Sequence, residues 1–306
     1  MSAEASKIDT CASCGIAESD DVKLKRCNGC YLVRYCGIEC QKKHRREHKE
    51  ECKKRAAELR DEVLFKQPES SYLGDCLICC LPLPLDEMKS VMGTCCGKIV
   101  CVGCHYADLK RIVAGQRLQH KCLFCRQSPP NSDEEQLQFL QKRIEANDPF
   151  AIKEMGVICT DREDYKSAFE YFSKAARLGD LSAHYRLACL YHEGNFVEKD
   201  EKKEWHHLEE AAIGGHSVAR HNLAYLEDRR GRYDRVVKHL VIAANMGDDK
   251  SLESLKKYYQ DGLVSKEDLA SALRAHQAAI DATKSPQREE GEAFLRLRQG
   301  LRKHGG

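Results

Sequence analysis

The chain has 306 residues, a formal net charge of +2 and a pI of about 7.8, which allows two or three domains and gives no strong electrostatic bias toward nucleic acid or an acidic membrane. No run approaches the roughly 18 apolar residues of a membrane span, and the start MSAEASKIDT lacks the basic and apolar regions of a secretory signal. A cytosolic or nuclear protein is expected, so the 18 cysteines, 16 of them between Cys11 and Cys125, read as metal ligands rather than disulfides.

In chain order, residues 11–52 hold seven cysteines and His48. The spacing is Cys11-x2-Cys14, Cys27-x2-Cys30, Cys36-x3-Cys40 and His48-x3-Cys52. Eight ligands suit two tetrahedral structural zinc ions. A Cys-x-x-Cys knuckle aims both sulfurs at one ion, and residues four apart share one face of a helical turn. One knuckle and one helical pair per ion satisfies that geometry. His44 competes with His48, but the spacing to Cys52 favours His48. A short module needs such metal, because it buries too little apolar surface to fold alone.

The run Cys36-Gly-Ile-Glu-Cys40-Gln41 to His44, His48 and Cys52, with Tyr35 before it, resembles the MYND zinc finger family. The resemblance implies interleaved sites, with Cys11, Cys14, Cys36 and Cys40 on one ion and Cys27, Cys30, His48 and Cys52 on the other. It also implies a peptide-binding role, although Arg45 stands where the family usually has Trp. Between Lys42 and Arg60, nine Lys/Arg face four Glu. Seven thiolates and two zinc ions sum to −3, so this basic excess reads as compensation for the anionic cluster. Lys42-Lys43-His44-Arg45-Arg46 also fits a nuclear-localisation or nucleic-acid patch.

A charged helical stretch runs from about Gln41 to Lys66, and residues 53–75 read as a linker broken at Gln67-Pro68-Glu69-Ser70-Ser71. Residues 76–126 follow with nine more cysteines. Cys76-x2-Cys79, Cys95-Cys96, Cys101-x2-Cys104 and Cys122-x2-Cys125 again offer eight ligands. Cys80, His105 and His120 are reserve ligands. The motif Cys76-Leu-Ile-Cys79 and the ending Cys122-Leu-Phe-Cys125-Arg126 resemble a RING finger. That likeness implies a cross-brace: Cys76, Cys79, Cys101 and Cys104 on one ion, Cys95, Cys96, Cys122 and Cys125 on the other. About four zinc ions per chain follow, two per module. RING fingers act as ubiquitin ligases with no nucleophile of their own, by positioning a ubiquitin-charged conjugating enzyme. By the same resemblance Ile78 lines the docking groove, Leu123 stands where many ligases have Pro, and Arg126 bridges ubiquitin and enzyme. The usual middle histidine is absent, since the segment after Cys96 offers Lys98. Ile78 and Leu123 could equally be module core.

After Ser128-Pro129-Pro130-Asn131-Ser132 the composition turns to Ala, Leu, Tyr, Lys and Glu with helical periodicity. Helices are expected over about 134–146, 149–159, 165–178, 181–193, 201–213, 217–229, 233–246, 249–261 and 266–283, with a last one over Gln287 to Arg302. Asn147-Asp148, Gly179-Asp180, Gly215-His216 and Gly247-Asp248 recur at spacings of 32, 36 and 32. Each is followed by a small residue (Ala151, Ala183, Ala219, Ser251). Paired alanines (Ala175-Ala176, Ala211-Ala212, Ala243-Ala244, and later Ala278-Ala279) allow close helix approach. This period marks an all-α tetratricopeptide-like solenoid over residues 133–284, followed by a C-terminal helix and tail at 285–306. The array resembles Sel-one-type repeats, with a degenerate core motif whose Gly survives only at Gly156. That family implies a curved protein-binding surface.

Two functions compete: a RING-type ubiquitin ligase recruiting substrate through finger and repeats, and a non-catalytic adaptor. A lysine methyltransferase is disfavoured because repeats occupy the space its domain would need. Nucleic-acid binding is disfavoured by near-neutral charge. The cysteine-rich sites leave no open position for hydrolytic zinc, so no catalytic residue is assigned. Cys159 and Cys189 read as helix packing, and Trp205 as core or groove lining.

Overall fold

The computed structural model describes residues 10–115 and 121–303, with side chains through Leu297. The described chain divides into two compact units that part between Lys66 and Gln67.

In the first unit, β1 (Lys25–Arg26) pairs antiparallel with β2 (Arg34–Tyr35), and α1 runs from Ile38 to Leu64. Its buried centre is Cys11, Leu24, Cys27, Cys30 and Tyr35, flanked by Val22, Val33, Cys36, Cys40 and Cys52. Leu24 is the one aliphatic residue among the fully buried members, so the interior is built mainly of sulfur. On α1, His48 and Cys52 lie four residues apart on one face, while Cys40 stands near the start of the helix. Further along, the helix is solvated and laced by Arg55, which bonds Glu58 at 3.1 Å and Glu62 at 2.9 Å.

The second unit opens with a cysteine-rich module. A 3-10 turn at Glu87–Lys89, capped by Asp86, leads into β3 (Ser90–Met92), which pairs antiparallel with β4 (Ile99–Cys101) in the register Val91 to Val100. The helix α2 (Val102–Val113) follows directly. Cys76, Leu83, Val100, Cys101 and Cys104 form the module's core.

The helical array comprises α3 (Asp133–Glu145), α4 (Pro149–Asp161), α5 (Tyr165–Arg177), α6 (Leu181–Glu193), α7 (Glu201–Ile213), α8 (Ser217–Asp228), α9 (Tyr233–Asn245), α10 (Asp249–Gln260) and α11 (Lys266–Ala282), then α12 (Pro286–Lys303). The recurrent dipeptides mark its turns. Asn147, Gly179, Gly215 and Gly247 have φ of 56°, 91°, 92° and 91°, a left-handed conformation that ends one helix. The next residue caps the following helix: Asp148 accepts from Ala151 N (3.4 Å), Asp180 from Ala183 N (2.7 Å), His216 Nδ1 from Ala219 N (3.2 Å) and Asp248 from Ser251 N (2.7 Å). The small residue at each of those amides is fully buried.

The paired alanines 175–176, 211–212 and 243–244 are buried where neighbouring helices meet. Gly156 of α4 marks a close approach: a Cβ there would sit 2.6 Å from the Phe172 ring. Several helices end one residue earlier than periodicity predicts, because the last turn tightens into three-residue bonds such as Leu178 N to Ala175 O. Cys159 and Cys189 are half-buried in α4 and α6, and burial raises both thiols. Trp205 is half-buried; its Nε1 donates to Glu209 at 2.8 Å, and the Arg230 and Arg232 guanidinium groups lie over its ring at 4.2 and 5.2 Å.

Candidate metal centres

Four groups of donor atoms converge among the described residues. They are Cys11, Cys14, Cys36 and Cys40; Cys27, Cys30, His48 and Cys52; Cys76, Cys79, Cys101 and Cys104; and Cys95, Cys96, Cys122 and Cys125. Within each group every donor atom lies within 4.8 Å of the others.

In the first unit, the hairpin brings Cys27 and Cys30 against α1, and Cys36 sits just before that helix. Cys14 and Cys36 Sγ are 3.6 Å apart, Cys36 and Cys40 are 3.5 Å, and Cys27 and Cys52 are 3.7 Å. His48 presents Nε2 to Cys30 Sγ at 3.1 Å, while its Nδ1 lies 3.8 Å from Glu51. His44 is not in a group: its Nδ1 is 3.1 Å from the Tyr35 hydroxyl, and its ring stacks on His48 at 5.7 Å.

In the second unit, Cys79 and Cys101 Sγ are 3.8 Å apart, Cys96 and Cys122 are 3.6 Å, and Cys95 and Cys125 are 3.3 Å. The adjacent Cys95 and Cys96 both face the last knuckle. Cys80 is exposed, with its amide bound to Cys76 O at 2.8 Å. His105 lies on α2 outside both groups, and His120 lies outside the described residues. Ile78 and Leu123 are 44% and 41% exposed, so neither is core. Arg126 is exposed at a φ of 60°, and its amide closes the knuckle turn onto Cys122 O at 3.0 Å.

Zinc fits these groups. A tetrahedral ion with bonds of about 2.3 Å to sulfur sets sulfurs about 3.8 Å apart, close to the 3.3–3.8 Å separations here. A disulfide would need about 2.05 Å, and all 18 cysteines are free. Zinc would be held by the four thiolates, or three thiolates and an imidazole, of each group, and it would supply closed structural cross-links rather than hydrolytic chemistry.

The knuckle backbone prepares the sulfurs. Cys101 N donates to Cys76 Sγ at 3.3 Å, Cys104 N to Cys101 Sγ at 3.4 Å and Phe124 N to Cys122 Sγ at 3.5 Å. One thiol per group is held down. Burial acts upward on Cys11, but amides from Cys36, Cys14 and Ser13 outweigh it and lower it to about 6. Against the same burial, amide and neighbouring donors lower Cys76 to about 6 and Cys27 and Cys122 to about 7. Burial and neighbouring sulfurs push Cys52 and Cys95 up. Metal binding at these groups would release the protons of the thiols that are held up, so it is coupled to pH.

Around the second module, the two sides of α2 differ. Gly103, Tyr106 and Lys110 meet α12, whereas His105 and Asp108 line an apolar groove with Val91, Met92, Leu123 and Phe124. Arg288 of α12, which the sequence does not single out, reaches Cys79 Sγ at 3.3 Å. No local pattern marks it, because one arginine in a charged helix carries no signal of burial.

Residues 11–52 match the family model of the MYND finger, and residues 152–180 and 181–216 each match that of the Sel1 repeat. Among solved structures, the chain is similar to a Sel1 repeat protein from Oxalobacter formigenes, at 22% identity and a TM-score of 0.44, over 61% of this chain and 82% of that one. It is also similar to a protective antigen of uropathogenic Escherichia coli strains displaying an SLR fold, at 21% identity and a TM-score of 0.39, over 55% of this chain and 37% of that one. No curated protein is significantly similar in sequence. A zinc-finger region is thus followed by a helical repeat region, and both kinds of module bind proteins.

Proposed function

We propose that this zinc-binding protein-interaction chain, carrying a MYND finger and Sel1 repeats, is a RING-type ubiquitin ligase. The domains are the finger at 11–52, a charged helical linker at 53–75, a RING-like module at 76–126, repeats at 133–284 and a C-terminal helix and tail at 285–306. All four donor groups hold zinc, giving four ions per chain. The protein works in the cytosol or nucleus, and its partners are proteins rather than nucleic acid.

The observation that carries this reading is the interleaving of the second module's cysteines. The first pair groups with the third, and the second with the fourth, as a cross-brace requires. Two loops held that way leave Ile78 and Leu123 accessible, and Leu123 lines an apolar groove beside α2. Ile78 and Leu123 dock a ubiquitin-charged conjugating enzyme, Arg126 steadies the ubiquitin, and the module contributes by positioning rather than by a nucleophile. Finger and repeats recruit the substrate.

A non-catalytic adaptor is the second reading, favoured by one observation. Arg143 of α3 donates to Thr94 O at 3.0 Å and Arg288 to Pro82 O at 2.7 Å, so the module is bonded to the helical array as a structural brace would be. Purified protein incubated with activating enzyme, a broad panel of conjugating enzymes and ubiquitin separates the two. Chains that Ile78→Ala abolishes support the ligase; no chains with any conjugating enzyme leaves the adaptor.

A further inference from the structure

Arg288 lies 209 residues beyond Cys79, yet it is 2% exposed and reaches into the second module. Its Nη1 donates to Pro82 O at 2.7 Å and Thr283 O at 2.8 Å. Its Nη2 donates to Leu81 O at 3.0 Å and Cys79 Sγ at 3.3 Å. Among the described residues no carboxylate accepts from it. A guanidinium keeps its proton in a protein, so a permanent positive charge is withdrawn from water here. That is costly unless an anion lies beside it. Carbonyl groups are neutral dipoles. The remaining source of negative charge is the group Cys76, Cys79, Cys101 and Cys104, whose four thiolates around one divalent ion leave a net −2.

The helix bearing Arg288 is fitted to this module. A Cβ on Gly103 of α2 would lie 2.5 Å from Gln287 O, and one on Gly291 of α12 would lie 2.8 Å from Gly103 Cα. The two backbones therefore touch where any side chain would separate them. Tyr106 stacks on Phe294 at 4.7 Å, and Lys89 pairs with Glu292 at 3.2 Å.

We propose that Arg288 is an outer-sphere positioning residue for the zinc site of Cys76, Cys79, Cys101 and Cys104, and that α12 thereby sets how firmly this site retains its metal. The proposal rests on the reading that these four cysteines hold zinc. An N–H donated to a zinc-bound thiolate draws charge off the sulfur and offsets the anionic site. The last helix of the chain then acts as a strap on the metal of the module that precedes the array.

The test uses the full zinc-loaded chain. Arg288→Met keeps bulk and loses charge and donors; Arg288→Lys keeps charge and loses the planar fork. The readouts are total zinc, the rate of zinc transfer to a chelator, and the thiolate-to-metal absorption of cobalt-substituted protein. Zinc content should match wild type, one zinc per chain should leave about tenfold faster in Arg288→Met, and its cobalt absorption should shift. Arg288→Lys should fall between. Gln287→Ala, one residue earlier on α12, removes a 3.3 Å bond to Gly103 O of α2 and should leave rate and spectrum unchanged. Wild-type release and absorption in Arg288→Met overturn the proposal, as does equal acceleration in Gln287→Ala. If Arg288→Met does not fold, wild-type values in Arg288→Lys overturn it. A wild-type chain carrying two zinc ions defeats the ligand assignment itself, a separate failure.

Discussion

Tyr72 stacks on His216, ring centroids 4.3 Å apart, and Tyr185 closes the opposite side of the imidazole at 4.7 Å. The Tyr72 amide donates to Gly215 O at 3.2 Å, and Gln67 bonds Ile242 O at 3.4 Å and Asn245 at 3.2 Å. The segment leading into the second module is thus pinned along the turns of the repeats. Gly215 must be glycine for this, since its φ is 92° and a Cβ would lie 2.5 Å from Ser70 O.

Removing the Tyr72 ring should loosen that attachment. Ring stacking contributes about 0.5–1.5 kcal/mol beyond burial, and a half-buried aromatic lost to alanine adds a further 1–2 kcal/mol or so. Tyr72→Ala should lower the unfolding free energy of the second unit by about 2–3 kcal/mol, while Tyr72→Phe stays close to wild type. Urea denaturation of the three proteins checks this; equal midpoints for Ala and wild type would discard it.

Stability of the second unit should fall in mild acid. Burial, with Arg186 nearby, lowers His216 from 6.5 to about 4, and burial with neighbouring histidines lowers His207 to about 4. The unfolded chain takes up these protons near pH 6.5, and the folded chain only near pH 4. The stability is therefore full above about pH 6.5 and is lost as pH falls toward 4, by up to about 3 kcal/mol per histidine. His216 also caps α8 through Nδ1, which a proton would block. His216→Asn keeps a cap that does not titrate, so its melting temperature should vary less between pH 7 and pH 4.5.

At Gly156 two tendencies oppose each other. Alanine gains about 1 kcal/mol of helix propensity over glycine. Its Cβ, however, would meet the fully buried Phe172 ring at 2.6 Å, and overpacking costs about 1–3 kcal/mol. Gly156→Ala should be destabilising on balance, by about 1 kcal/mol or more, in chemical denaturation. Phe172→Leu in the same background should recover part of the loss by making room.

Metal content should respond to the grouped donors and not to their neighbours. Elemental analysis of reduced protein should give four zinc per chain. His48→Ala should lower the value to three and expose the first unit to protease, because its interior is mostly cysteine. Cys80→Ser and His105→Ala should leave the count unchanged, since neither belongs to a donor group. A drop on losing either would reassign the ligands.

The sequence by itself determined what is periodic or closely spaced. Knuckles two residues apart, helical pairs four apart and turns recurring every 32 to 36 residues are local consequences of chain geometry, and the helices and repeats were legible from them. Glycine at three of those turns takes the left-handed conformation that ends a helix, and Asp180 and Asp248 cap the helices that follow. Only the tertiary structure decided which side of α2 stays open, that Gly103 and Gly291 meet, and that Arg288 leaves water to lie against Cys79. These depend on contacts between residues about 200 positions apart, made where α12 packs against the module. An arginine buried by such a contact looks, residue by residue, the same as one facing solvent.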